Sequence, residues 1–425
     1  MVRLYVVNVA VCAVSVVVTA ATPVTFHKDV QPILQKHCQE CHRPGEIGPM
    51  PLMDYQQARP WAKSIRQAVA TKKMPPWFAD PHYGKFSNDR SLAQSEIDTI
   101  LAWADAGAPE GNPQDAPAPR TFVEGWTQGK PDLIVEAPVP FNIPAKGDLP
   151  YEWVIVPTNL KEDKWVVSAE VRPSARSVVH HIVVAVREPG NRWMADKKPG
   201  EYFSGGLAIE RGGGLTGSPE TIGAYFAQYE PGSTLRQVDR HYAFLLKAGS
   251  DLVFQLHYTP NGKPTSDSPK VGLIFSDTPP DKKLVFLSPA NGRFVIPPGA
   301  PDYKVEASTT LNFEGKLVSL YPHAHLRGKA WEFRAIYPTG EEETLLKVPN
   351  YDFHWQLTYY LAQPKLLPKG TKLVITAWYD NSANNPQNPD PTKEVRWGEQ
   401  SWEEMMISTA TFTVDVNQKI ERAGR

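Results

Sequence analysis

Five of the chain's 11 histidines fall in three short apolar segments: Val179-His180-His181-Ile182, Gln255-Leu256-His257-Tyr258 and Tyr321-Pro322-His323-Ala324-His325. Neutral imidazole is a common protein ligand for copper and zinc. A polar ring buried without a partner costs free energy, so imidazoles clustered in hydrophobic runs point to a bound ion. Side chains two apart on a strand share a face, which lets His323 and His325 chelate one ion together. Adjacent His180 and His181 would point to opposite faces of a regular strand. To share an ion, the backbone must bulge there or lie at a strand end, and His257 is then the natural third ligand. A lone histidine on a strand is usually structural; the clustering carries the reading.

A second constellation is Cys38-Gln39-Glu40-Cys41-His42, the C-x-x-C-H spacing for covalent haem attachment. The two thiols add to the haem vinyl groups, and the adjoining imidazole can bind the iron. A thioredoxin-like pair or part of a zinc site would use the same cysteines, but the adjacent histidine and the lack of further cysteines count against both. The sixth ligand is commonly Met or His, and Met raises the reduction potential. Met74, in Lys73-Met74-Pro75-Pro76-Trp77, is the expected ligand, with Met50 and Met53 as competitors. The stretch from Phe26 to Pro44 and the Met-Pro-Pro-Trp loop resemble the small class I cytochrome c modules fused to larger bacterial enzymes.

The elements that must position these groups follow from composition and pattern. At 425 residues, two or three domains are expected. A net charge of −1 disfavours nucleic acid or an anionic membrane surface as main partner. The 41 prolines, about twice the usual share, favour a loop-rich β body. Arg3, the apolar run Leu4 to Val18 and the small residues Thr19, Ala20 and Ala21 read as a secretory signal spanning residues 1–21. That run is shorter than the roughly 20 residues of a spanning helix, so export to the periplasm or medium is expected, with no membrane span after cleavage. Cys12 lies in the signal, so Cys38 and Cys41 would be the mature cysteines and no structural disulfide is expected.

Residues 24–108 read as an all-α unit. Helical segments are expected at Val30 to Leu34, at Ala58 to Val69, and at Ser95 to Ala106 with Ser95 as N-cap and Gly107 as stop. Residues 109–120 are rich in Pro, Gly and Ala and read as a linker. Beyond them, segments such as Trp153 to Val156, Ile182 to Val186, Leu252 to Leu256, Lys316 to Leu320 and Leu373 to Trp378 are β-rich and bounded by turn residues. Two tandem all-β sandwiches are expected, 121–280 and 281–415. Gly205 to Gly217 reads as a loop, and Asn381 to Pro391 as a turn-rich loop. His27, His37, His82, His241 and His354 read as structural or surface residues.

From about residue 120 to 415 the order and spacing of these groups resemble the copper type II, ascorbate-dependent monooxygenases, the family of dopamine β-monooxygenase and peptidylglycine α-hydroxylating monooxygenase. The resemblance implies two jelly-roll domains, each holding one copper ion across an open solvent cleft. One copper would take His180, His181 and His257. The other would take His323, His325 and a thioether, which the family's Glu-Met pattern maps to Met405 in Glu404-Met405-Met406, with Met406 as neighbouring rival. The resemblance further implies that the Met-site copper activates dioxygen toward a substrate C–H bond, while the all-His copper delivers the second electron. Gln255, two before the third histidine, would line the cleft.

The expected function is therefore an exported, haem c- and copper-dependent monooxygenase acting on a small molecule and dioxygen. Its haem unit would relay electrons, and an external reductant, ascorbate or a redox protein, would supply them. The substrate does not carry over. Tyr321 stands where the amidating enzyme has a carboxylate-binding arginine, and Ile407 and Thr409 replace its Asn and Tyr. Two rival readings are a non-catalytic copper and haem electron carrier or copper-binding protein, and a β-sandwich adhesion or glycan-binding module with a haem tail.

Overall fold

The structure, a computed structural model, describes residues 23–205, 209–210, 214–215, 225–231 and 242–420. The expected signal segment with Cys12, most of the Gly205–Gly217 stretch and His241 lie outside them. The described chain is mostly β-sheet, with its helices gathered near the N-terminus.

The helical part comprises Gln31–His37, Tyr55–Ala58, Ala62–Ala70 and Gln94–Asp105, packed around Phe26, Leu34, Ile65, Ile100 and Trp103. The last helix starts one residue before the expected Ser95. Ala93 is its N-cap, and its backbone N–H donates to the Glu96 carboxylate at 2.8 Å. Glu96 thus makes the reciprocal half of a capping box, while its own N–H donates to the Ala93 carbonyl at 3.0 Å. Gly107, at φ 85°, ends that helix as expected. Residues 109–120 lie against this unit: Phe26 N–H donates to the Pro109 carbonyl, Gln35 Nε2 to the Ala118 carbonyl and Arg120 Nη1 to the Gln35 carbonyl.

The β part is a layered sandwich. An eight-stranded sheet runs, in spatial order, through Leu133–Glu136, Lys270–Ser276, Lys164–Arg172, Tyr242–Leu246, Lys282–Leu287, Ile407–Asp415, Gly315–His323 and Tyr359–Leu367. Its early strands face a five-stranded sheet containing Glu152–Pro157, Asp251–Tyr258 and Val179–Arg187, and bury Val154, Val184, Phe254, Val271 and Leu273. Its later strands face the four-stranded sheet of Tyr303–Thr310, Lys372–Tyr379, Gly328–Ile336 and Glu342–Val348, and bury Leu317, Phe333, Ile375 and Phe412.

The two β halves share this large sheet. A short parallel pairing, Tyr242 with Lys282 and Ala243 with Lys283, joins strands from either side of residue 280. In addition, Trp153, Ile155 and Val253 project from the other face of the five-stranded sheet into the second core. The segment between the third and last helices straps the helical unit onto the β body. The Trp77 ring packs tilted against Tyr359 with centroids 5.0 Å apart, Ser87 N–H donates to the Tyr360 carbonyl at 2.8 Å, and Asn88 Nδ2 donates to the Thr358 carbonyl at 2.7 Å.

Candidate functional site

Two neighbouring β-strands of the five-stranded sheet hold the first group of histidines. Val179–Arg187 and Asp251–Tyr258 pair antiparallel, with His181 opposite His257; the next pair is Val179 with Tyr258, so His180 is left over. This is a β-bulge one residue into the strand, directly after the turn Arg176–Val178. The bulge and the strand start together let two adjacent imidazoles turn to the same side. Ligand atoms of His180, His181 and His257 all lie within 4.8 Å of one another.

His323 is the last residue of its strand in the eight-stranded sheet, and His325 lies two residues further on. Both groups meet. The His181 and His323 ring centroids are 6.0 Å apart, and His323 and His325 are 5.3 Å apart. Tyr151, itself buried, stands between them, 4.4 Å from the His257 ring and 5.9 Å from His325, with its hydroxyl 3.4 Å from His325 Nε2. The open cleft expected between two separate centres is therefore closed here. The shared sheet and the second core, which takes in Trp153 and Val253, hold the halves together.

Met405 is buried beside this cluster, and Tyr379 donates its hydroxyl to the Met405 carbonyl at 2.8 Å. His323 pairs with Ile407, the last rung of that ladder, two residues from Met405. Glu404 locks the two segments. Its buried carboxylate accepts backbone N–H bonds from His325, from Arg327 at 3.0 Å and from Met405 at 2.9 Å. Nothing in sequence periodicity marked Glu404 for that task.

Burial sets the electrostatics. All five imidazoles are nine-tenths or more shielded from water and are held neutral. Desolvation, followed by the neighbouring histidines, lowers His180 to about 3, and desolvation lowers His323 to about 4; His181, His257 and His325 are shifted down for the same first reason. Neutral imidazole is the form that binds a metal. His180 Nε2, His181 Nε2, His257 Nδ1 and His325 Nδ1 are buried without a hydrogen-bond partner, a costly arrangement unless a ligand satisfies them. His323 Nδ1 bonds the Gln356 side-chain oxygen at 3.0 Å, which turns its Nε2 outward as an electron-pair donor. The site fits an ion bound by nitrogen.

The other predicted residues converge on a cavity of the helical unit, lined by Cys38, Cys41, His42, Met50 and Met74 among apolar Leu34, Ile65, Val69 and Ile100. Met53 does not line it. His42 Nδ1 donates to the Met50 carbonyl at 3.0 Å, leaving Nε2 free to bind an iron. Gly48 closes against this turn so tightly that a Cβ there would come within 2.6 Å of the Cys41 carbonyl and 2.8 Å of His42 Nδ1. Burial pushes the Cys38 thiol up to about 12, with Cys41 adding to it. Arg90 and Arg120 also line the cavity, cations that complement the carboxylates of a haem.

No family model and no curated protein matches the chain. Among solved structures, that of Broad Bean Stain Virus is 7% identical with a TM-score of 0.24, over 69% of this chain and 92% of the other. Allantoicase is 8% identical with a TM-score of 0.17, over 57% of this chain and 79% of that one. The infectious bursal disease virus VP2 subviral particle is 11% identical with a TM-score of 0.16, over 69% and 83%. Likenesses this distant carry no argument about function.

A second cavity opens beside the histidines on one face of the eight-stranded sheet. One wall is aromatic, with Phe226, Phe244 and Phe286; the other bears the hydroxyls of Ser319, Tyr321, Thr358, Thr409 and Thr411. Tyr321 joins it to the site, since its hydroxyl bonds Gln356 and stands 3.5 Å from His323 Nδ1. No charged side chain lines this cavity among the described residues. Gln255 is buried in the strand of His257. Of the histidines read as structural, His27 contacts Gln31 and Glu110, His37 contacts Glu96 and His82 contacts Asp80. His354 is nearer the chemistry, with its ring 6.1 Å from His180. No helix among the described residues is long and apolar enough to cross a membrane.

Proposed function

We propose that the chain is an exported, haem c- and copper-dependent monooxygenase that hydroxylates a C–H bond of a small substrate. On this reading residues 24–108 are a cytochrome c-like unit, and residues 121–280 and 281–415 are jelly-roll domains resembling the copper type II monooxygenases. The observation that carries it is the buried five-imidazole cluster with four ring nitrogens lacking partners. Three nitrogens alone would serve zinc equally; a thioether from Met405, whose backbone is tied to that of His325 through the Glu404 carboxylate, would be what selects copper. His180, His181 and His257 would hold one copper, and His323, His325 and Met405 the other. Cys38 and Cys41 would bind haem c covalently, with His42 and Met74 as axial ligands.

Bound copper supplies one-electron chemistry and dioxygen activation, and the haem a reserve of electrons from ascorbate or a redox protein. The chain's own residues do the rest. Gln356 fixes the His323 tautomer, Glu404 holds His325 and Met405 in register, and the surrounding core excludes water. Substrate would enter the cavity that Tyr321 shares with the site. Its aromatic wall and row of hydroxyls suit a neutral, largely apolar molecule with a hydrogen-bonding group.

The full burial of all five histidines favours a second reading, a non-catalytic copper and haem electron carrier. One experiment separates the two. Copper- and haem-loaded protein is given reductant, labelled dioxygen and a metabolite extract, and products are sought by mass spectrometry. A product gaining one labelled oxygen atom, absent with Met405→Ala, supports the monooxygenase. No such product, with two coppers bound per chain, favours the carrier.

A further inference from the structure

Four consecutive residues, Phe353-His354-Trp355-Gln356, touch both candidate sites. Trp355 lines the cavity of Cys38, Cys41, His42 and Met74. Two residues earlier, Phe353 stacks on the His180 ring at 4.6 Å and 25°, and lies 6.0 Å from His257 and 6.1 Å from His325. One residue later, Gln356 bonds His323 at 3.0 Å. Consecutive Cα atoms are about 3.8 Å apart, so the chain passes from the cavity wall to both imidazole groups within roughly 7 Å of backbone. The segment is also held firmly. Trp355 N–H donates to the Asp352 carbonyl at 2.9 Å, His354 N–H to the Asp352 carboxylate at 3.0 Å, and the Tyr351 hydroxyl to the Ala324 carbonyl at 2.8 Å. The Arg176–Glu46 ion pair also joins the helical unit to the β body, but through saturated side chains.

We propose that Trp355 and Phe353 are the electron conduit between the haem cavity and the histidine cluster. The inference rests on the proposed occupancy of both sites. Electron transfer weakens steeply across empty space; the Phe353 ring is in contact with His180, and two residues of covalent backbone carry the path on to Trp355 at the cavity wall. Trp355 and Phe353 would pass one electron from iron(II), left as iron(III), to copper(II), left as copper(I). No bond is made or broken and no proton moves.

The test uses the full chain carrying haem and copper(II), without oxygen or substrate, so that it is independent of turnover. A flash-generated reductant places one electron on the haem, and reoxidation is followed in its absorption bands. Trp355→Leu is expected to slow this step by roughly tenfold after allowance for any shift in haem potential measured in the same variant, with the copper(II) paramagnetic resonance signal unchanged. Trp355→Phe, which restores a ring, is expected to recover most of the rate and guards against a folding defect in the leucine variant. Unchanged transfer in Trp355→Leu overturns the conduit while leaving the two-site reading intact. Absence of transfer in the unmodified protein overturns both.

Discussion

Acidifying the metal-free protein should destabilise it, because the cluster must stay neutral to stay buried. His180 is lowered to about 3 and His323 to about 4, both by desolvation first, from an ordinary 6.5. Between those values and 6.5 the unfolded chain takes up protons that the fold refuses. Stability is therefore intact above 6.5 and falls as pH falls through that window. From pH 7 to 5 each of these two histidines costs about 2 kcal/mol, at ~1.4 kcal/mol per pKa unit. Glu404 works the other way. Burial raises it to about 7 from 4.5, so the fold binds its proton first and gains about 2 kcal/mol over the same interval. Two histidines outweigh it, and His181, His257 and His325, shifted in the same direction, add to the loss. The melting temperature of copper-free protein, read by circular dichroism, should drop by several degrees between pH 7 and 5. Copper at 100 times its dissociation constant should restore about 2.7 kcal/mol. A melting temperature that is flat, or that rises on acidification, would mean that the imidazoles are solvated and the cluster open.

Other substitutions probe the same architecture. His181→Ala should lower copper stoichiometry from two per chain to one, measured by elemental analysis after dialysis. Glu404→Gln replaces one acceptor oxygen with a donor facing backbone N–H groups, and should cost about 1–3 kcal/mol in urea unfolding while weakening copper retention at the His323 and His325 site. Gly48→Ala forces a methyl group against the Cys41 carbonyl and His42. It should reduce covalent haem incorporation, seen as lost Soret absorbance per chain, and leave copper binding unaffected.

Much of this arrangement was legible in the residues. Alternating and β-branched runs located the strands because each has a face to bury, and Glu152–Pro157, Val179–Arg187, Asp251–Tyr258 and Gly315–His323 all contain segments read as β. The irregularity at His180 was legible too, since adjacent side chains cannot otherwise share a ligand. Other features escaped because they arise between distant segments. Tyr151, just ahead of Glu152–Pro157, meets the imidazoles only across distant segments, so no local pattern hints at its place among them. The Tyr242–Lys282 and Ala243–Lys283 pairings are two residues long and cross the expected boundary, so no local pattern announces the shared sheet. No sequence pattern singles out Phe353 and Trp355, whose role depends on the strap of residues 77–88 bringing the helical cavity against them.

That closure bears directly on the chemistry. The resemblance implied two coppers facing each other across solvent, with electrons crossing the gap. Here His181 and His323 stand 6.0 Å apart at their ring centroids, and the water-filled space is replaced by Tyr151 and the second core. A closed cluster shortens the path between centres and shields it from water, but it also bars substrate from approaching on the cluster's own side. The Tyr321 cavity offers the proposed substrate another approach. It meets the cluster through Tyr321 on the Nδ1 side of His323, so substrate there would reach the Nε2 side only past the His323 ring. A larger side chain there, such as Thr409→Phe, should then block hydroxylation while haem-to-copper transfer proceeds at its normal rate. If instead substrate enters by parting the two β halves, Thr409→Phe would leave hydroxylation intact, whereas a disulfide engineered across the halves would abolish it.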